Sequence, residues 1–290
     1  MSKPASHKIL VQKPIFIIAS GRSGTTLLYR LLCGHPDTAW FSGLTDIFPR
    51  FPQISILSRL YNGKINRFLG PSPEAINIYK FCGVDDSSLK SKGSSLTERD
   101  VNKHSKLMLY KTVAQHLKWM GKSRFISKNT ANGMRIRYLK KIFPDALFVH
   151  IIRNGYGVVN SLLNVKWWPD LGLWWLGKTP KQWEEKGGNP AELCTLHWKR
   201  QVEEILQNKE YIRQDQYFEC RYEHVVDKPL SSLKEILEFC QLRWSDDFEK
   251  HIKCLPISSL SLDKWQDELD EISKKTIKEI AGDLIDYFGY

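Results

Sequence analysis

The chain carries six cysteines, Cys33, Cys82, Cys194, Cys220, Cys240 and Cys254, but no C-x-x-C pair. That spacing argues against a zinc site and against a redox dithiol. Several of the six lie in apolar runs and read as buried thiols kept reduced. The basic segment Met1 to Gln12 has no apolar stretch behind it. Nowhere do apolar residues approach the roughly 18 in a row that a membrane helix needs. These absences predict a soluble, cytoplasmic protein. No run of Lys and Arg marks a nucleic-acid-binding arm and no nucleic-acid module is recognisable, so nucleic acid is not an expected partner. Internal repeats and shifts of composition are also missing. One domain over residues 1–290 is expected, with insertions near 83–100 and 164–190.

What is present is an ordinary globular balance over 290 residues, 42% hydrophobic and 26% charged, with a formal net charge of +11. A basic surface suits a multiply phosphorylated nucleotide, anionic lipid headgroups or acidic polysaccharide. Most of the Lys and Arg read as solvated helix faces, and a compact polyanion needs only a few of them.

Ile15-Phe-Ile-Ile-Ala19 is a short β-branched run that ends at Ser20-Gly-Arg-Ser-Gly24, after which Leu27, Leu28, Leu31 and Leu32 repeat at helical spacing. The pattern predicts a buried parallel strand, a tight turn and a helix. It recurs at Ala146 to Ile152, and Arg124 to Ser127 and Tyr217 to Tyr222 are further strand candidates. Strands alternating with helices predict an α/β fold, a central parallel sheet flanked by helices in three P-loop-like layers. Gly83 to Asp100 reads as a mobile loop or lid. Asn164 to Trp183 packs Trp167, Trp168, Trp174, Trp175 and Trp183 among Gly and Pro. Those indoles suit acceptor stacking, peripheral membrane contact or simple burial.

A Gly-rich turn between a strand and a helix is where phosphate cradles form. Gly21 and Gly24 let backbone N–H groups turn inward, and the helix N-terminus adds partial positive charge. Thr25 and Thr26 offer hydroxyls, and Arg22 a charge-assisted contact. A Walker A loop would need Gly at Ala19 and Lys at Thr25, so a nucleotide kinase is the weaker alternative. Arg153, at the end of the second buried strand, and Ser161, eight residues on, can converge on another phosphate.

Phe16 to Thr26 resembles the 5′-phosphosulfate-binding loop of the sulfotransferase family, Lys/Arg-Ser-Gly-Thr-Thr after a strand, and His35-Pro36-Asp37 resembles its tyrosylprotein and carbohydrate branches. Arg153 with Ser161 resembles the family's 3′-phosphate motif, with Gly155 in place of a proline. The resemblance continues in Phe125 to Asn129, in Arg221-Tyr-Glu-His-Val-Val-Asp-Lys-Pro229 and in Leu262-Asp-Lys-Trp265. It implies a sulfuryl donor, 3′-phosphoadenosine 5′-phosphosulfate, held by Gly21, Arg22, Ser23, Gly24, Thr25, Thr26, Arg153, Ser161, Tyr222 and Lys264, without a metal. It implies Arg22 and Lys128 beside the transferring group and a carboxylate or His as base. Asp46 is the first candidate base, ahead of His35, His150 and His197. The implied acceptor is a small molecule, lipid or carbohydrate bearing a hydroxyl or amine. A relative that binds nucleotide without catalysis is the further alternative.

Overall fold

The computed structural model describes residues 10–61, 68–84, 94–259 and 262–290. The apolar runs form parallel strands. Strand β1 spans Ile15–Ile18, β2 Thr38–Ala39, β3 Arg124–Lys128, β4 Leu147–Ile152 and β5 Tyr217–Arg221. Every side chain of β1 and β4 is buried, as continuous apolar runs require when helices cover both faces of a sheet. The order across the sheet is β2-β3-β1-β4-β5, and all four pairings are parallel. The two-residue strand β2 was not visible in the sequence. It exists only because Thr38 and Ala39 register against Arg124 and Phe125.

Central placement of β1 between β3 and β4 makes it the point where the strand order reverses. Ligands of open α/β sheets bind outside the carboxyl ends of the strands at such a point. Helix α1 (Thr25–Cys33) leaves β1 there, and further helices follow downstream in the sequence. These are α2 (Gly43–Ile47), α3 (Ile76–Phe81), α4 (Lys103–Met120), α5 (Ile136–Ile142), α6 (Gly155–Leu163), α7 (Pro180–Glu184), α8 (Pro190–Lys209), α9 (Tyr222–Asp227), α10 (Pro229–Cys240), α11 (Asp246–Cys254), α12 (Lys264–Glu268) and α13 (Glu271–Tyr287).

Two clusters of buried side chains hold the layers. The larger surrounds β1 to β4 with α1 and α4; the smaller joins Ile152 to residues of α6, α8 and α13 around Trp198. Gly155, standing where the family motif has proline, opens α6. A Cβ there would lie 2.9 Å from the Trp198 ring, so close packing demands the glycine. Of the stretch read as a lid, residues 85–93 lie outside the described residues. The remainder is docked, with Leu96 buried and Arg137 making two hydrogen bonds of 2.8 and 2.7 Å to Glu98. Among the described residues no helix is long and apolar enough to cross a membrane.

Candidate active site

Between β1 and α1 the chain turns through Ser20 to Gly24, with Arg22 at φ 66° and Gly24 at φ 85°, both left-handed. Such sign changes point successive amides toward one concavity, an anion-binding nest. Gly24 is also pinned from outside, because a Cβ there would lie 2.1 Å from the Tyr222 ring. Arg22 pays a steric penalty for its conformation, and two contacts hold it there. Its Nε donates to Ser161 Oγ at 2.9 Å and its carbonyl accepts from Arg153 Nη1 at 3.1 Å. Behind the loop, buried Ser23 bonds Ser20 through hydroxyls 2.7 Å apart, and Gln201 Oε1 accepts the Gly21 amide at 2.9 Å. The first amides of α1 have no partner within their own helix and add to the positive end.

The ends of β4 and β5 supply the next wall. Arg153 follows β4 and is only 9% exposed, with its guanidinium 5.0 Å from the ring of Tyr222, the residue that opens α9. Burial pulls that guanidinium below its ordinary value, with Tyr222 and Glu223 opposing the shift, so a bound anion would be favourable. Glu223 Oε1 accepts the Asn154 amide at 3.1 Å and its other oxygen accepts Tyr290 Oη at 2.7 Å, bracing the turn after Arg153. Lys264 and Glu268 come from α12, which is fixed by a Tyr156–Trp265 stack at 4.6 Å and an Asn160–Glu268 hydrogen bond of 2.6 Å.

At the end of β3, Lys128 is 4% exposed and forms an ion pair with Glu74. Glu74 also accepts the Thr130 amide at 2.8 Å and the Thr130 hydroxyl at 3.2 Å. All these walls enclose one cavity of about 1050 Å³. Gly21, Arg22, Gly24, Thr25, Thr26, Lys128, Arg153, Ser161, Tyr222 and Lys264 line it, together with Glu74, His197, Trp167 and Trp174.

Residues 14–246 match the Sulfotransferase family. The chain belongs to that family. Among its sulfotransferase relatives, the Drosophila melanogaster protein-tyrosine sulfotransferase is 22% identical over 280 residues, which are 93% of this chain and 48% of that protein. The Mycobacterium bovis omega-hydroxy-beta-dihydromenaquinone-9 sulfotransferase Stf3 is 20% identical over 98% of this chain and 77% of its own length. The chain spans 28% to 65% of the length of the first curated relatives it matches. The crystal structure of sulfotransferase STF9 from Mycobacterium avium superposes with a TM-score of 0.63 at 16% identity, covering 97% of this chain and 78% of that one. The sulfotransferase fold thus accounts for the parallel sheet and the loop at its centre.

Other residues singled out in the sequence fall elsewhere in this sulfotransferase fold. Asp46 does not line the cavity; its carboxylate accepts the Ile78 amide at 3.1 Å and Ser72 Oγ at 3.4 Å, holding the first turn of α3. Desolvation raises its pKa, and these hydrogen bonds oppose the rise. His35 donates to Arg243 O at 2.8 Å and accepts the Asp37 amide at 3.1 Å, fixing its turn. His150 lies fully inside the sheet, 2.7 Å from Tyr217 Oη. Of the three histidines, only His197 reaches the cavity. The tryptophans divide, with Trp168 buried, Trp167 half exposed and Trp174 on the cavity wall. Glu74 is the site residue the sequence reading missed. It sits in Pro71-Ser-Pro-Glu74, an ordinary turn by its composition, and only the fold brings it to Lys128, 54 residues away.

Proposed function

We propose that this chain transfers the sulfuryl group of 3′-phosphoadenosine 5′-phosphosulfate to an acceptor hydroxyl. The observation that carries the reading is one cavity in which a backbone nest and a helix N-terminus meet the side chains of Arg153 and Ser161, brought in from the end of β4 and from α6 and each bonded to Arg22. A donor phosphorylated at both the 5′ and 3′ positions needs two anion sites, whereas a polyphosphate chain needs one continuous cradle. Four cationic side chains, Arg22, Lys128, Arg153 and Lys264, face two carboxylates, Glu74 and Glu268, across the same cavity, which favours a polyanion. In this reading the loop residues Gly21 to Thr26 hold the 5′ end, while Arg153 and Ser161 hold the 3′-phosphate. Tyr222 braces the loop, and Lys264 closes the cavity from α12. The named relatives act on a tyrosine and on an omega-hydroxy compound, and both acceptors present a hydroxyl.

When bound, the donor supplies sulfur whose bond to the 5′-phosphate oxygen breaks as a bond to the acceptor oxygen forms. Glu74, on the cavity wall and oriented by Thr130, takes the hydroxyl proton. We assign the base to it rather than to Asp46, which does not line the cavity and holds the first turn of α3. Lys128, paired with Glu74, neutralises charge growing on the departing phosphate oxygen, with Arg22 and the loop amides.

Thermal stability measured with 3′,5′-adenosine bisphosphate, and with ATP plus Mg²⁺, tests the reading. A ligand at a hundred times its Kd stabilises by about 2.7 kcal/mol. The bisphosphate should raise Tm, Arg153→Ala should remove the shift, and ATP–Mg²⁺ should give none. A shift with ATP–Mg²⁺ alone would return the site to the kinases. Glu74→Gln should keep the bisphosphate shift while lowering kcat by about 10²- to 10⁴-fold. A nucleotide-binding relative without catalysis would instead show no turnover in either form.

We also propose peripheral contact with an anionic bilayer. Ile47, Phe48, Phe51, Ile56, Leu57 and Leu60 are exposed beside Arg50 and Arg59. The Leu44 amide bonds Phe68 O at 2.7 Å and Asp46 bonds the Ile78 amide, which ties this surface to exposed Ile76 on the cavity wall. An apolar surface with basic neighbours, on a chain of net charge +11, suits anionic headgroups.

A further inference from the structure

The charge of the chain is concentrated in one segment. Between Asp100 and Asp145 the sequence has no acidic residue and eleven Lys and Arg, a number equal to the formal net charge of +11. The rest of the protein is therefore neutral in sum. Three of the eleven are used inside the fold: Lys128 faces the cavity, Arg135 is fully buried and Arg137 is paired with Glu98. Four others, Lys103, Lys106, Lys111 and Lys118, are exposed on α4, and among the described residues none has an ion-pair partner.

On other helices the chain sets acidic side chains beside basic ones. Lys199 and Arg200 of α8 reach Glu203 and Glu204, Lys253 of α11 reaches Glu249, and Lys274 of α13 reaches Glu271. Helices α8 and α13 also carry Glu192 and Glu271 in their first turns, where a carboxylate favours the helix dipole. Helix α4 reverses that arrangement. Its first turn holds Lys103 and Lys106 and no acidic side chain. Cations there oppose the dipole, and like charges on neighbouring turns repel. The arrangement lowers stability, and an anion outside the fold would recover the loss.

Two features specify that anion. Lys103 and Lys118 stand about 22 Å apart along the helix axis, so the face fits an extended negative surface rather than one phosphate. Apolar side chains are exposed within the same region. Leu107, 57% exposed, lies one turn from both Lys103 and Lys111. The 3₁₀ turn Pro52–Leu60 packs against α4 and exposes Ile56, Leu57 and Leu60. Arg59 of that turn lies against Gly121 at the end of α4, where a Cβ would be 2.7 Å from its guanidinium. A soluble polyanion such as an acidic polysaccharide gains nothing from these apolar groups. The headgroup layer of an anionic bilayer takes both kinds at once.

We propose that the lysine face of α4 is the electrostatic half of a bilayer-binding surface, and that it makes the protein select membranes by their content of anionic lipid. This rests on the bilayer reading given above, which invoked only the apolar surface of residues 47–60 and its two arginines.

The test measures partition of the protein onto phosphatidylcholine vesicles of graded phosphatidylglycerol content. Native binding should rise steeply with phosphatidylglycerol. One lysine near an anionic surface gives about fivefold in partition. Lys103→Gln, Lys106→Gln, Lys111→Gln and Lys118→Gln together should therefore weaken binding at least about 100-fold and flatten its dependence on salt. Arginine at the same four positions should restore native binding. Without vesicles, the Tm of the glutamine variant should equal or exceed the native value, which separates lost binding from lost folding. Undiminished binding by the glutamine variant would overturn the proposal and leave the apolar surface as the whole contact. A native protein that binds none of the vesicles would overturn both readings. Release of the native protein from vesicles onto heparin, at matched charge, would assign the face to a soluble polyanion and overturn the proposal.

Discussion

At the scale of the residue, Gly24 answers to two constraints at once, a left-handed backbone and a tyrosine ring where its side chain would be. Gly24→Ala should lower stability by about 1–3 kcal/mol through strain alone. It should also cost at least tenfold in affinity for 3′,5′-adenosine bisphosphate, because Tyr222 or the loop must move. Gly177→Ala is the control, since Gly177 has φ 69° but nothing within 4 Å of its added Cβ. That variant should lose stability and keep affinity; equal affinity losses in the two would show that Tyr222 does not brace the loop. Loop positions such as Gly24 were legible because their chemistry is local: a strand, a turn and a helix are contiguous in sequence. Arg153 and Ser161 were legible for the same reason. Glu74 was not, because a carboxylate in a proline-rich turn carries no signal until β3 brings Lys128 beside it. Asp46 drew attention by lying near His35-Pro36-Asp37, yet its carboxylate is used by α3.

At the scale of the element, the continuous apolar runs gave up β1 and β4 almost to the residue, since burial on both faces leaves little choice of side chain. Strand β2 was invisible, as two residues hold no period, and its pairing is decided by β3. The tryptophan-rich segment also resisted a single reading because it does two things, burying Trp168 while lining the cavity with Trp167 and Trp174. The surface from α2 through the 3₁₀ turn Pro52–Leu60 is apolar for a reason the sheet does not supply. If that surface meets lipid, the protein should cosediment with phosphatidylglycerol vesicles and not with phosphatidylcholine, and 0.5 M salt should weaken the binding. Phe48→Asp combined with Phe51→Asp should abolish cosedimentation and spare the bisphosphate thermal shift. Undiminished sedimentation of that double variant would move the contact elsewhere.

At the scale of the whole molecule, acid should loosen both hydrophobic clusters. His116 on α4 lies in the larger, against the Phe41 ring at 4.9 Å, and His197 on α8 borders the smaller. Burial holds both near pKa 4 against an ordinary 6.5. Between those values the unfolded chain binds more protons than the folded one, so stability rises with pH. The contribution is complete above 6.5 and is lost as pH falls toward 4, on the order of 3 kcal/mol for each histidine. Tm followed from pH 7.5 to 4.5 should fall steeply below 6.5, and His116→Leu should flatten part of that slope. A profile unchanged in the variant would mean that His116 titrates normally.

The sheet order has a consequence for synthesis. Strand β1 finds neither neighbour nearby in the chain, because Ile15 registers with Ile126 on one side and Leu147 on the other. At about 5–20 residues per second, roughly 7–26 s pass between translation of β1 and of β4. For most of that interval, until β3 emerges, a strand fully buried in the finished protein is an unpaired apolar segment on a growing chain. Its yield in a cell should therefore follow chaperone supply and growth temperature more closely than the stability of the folded protein.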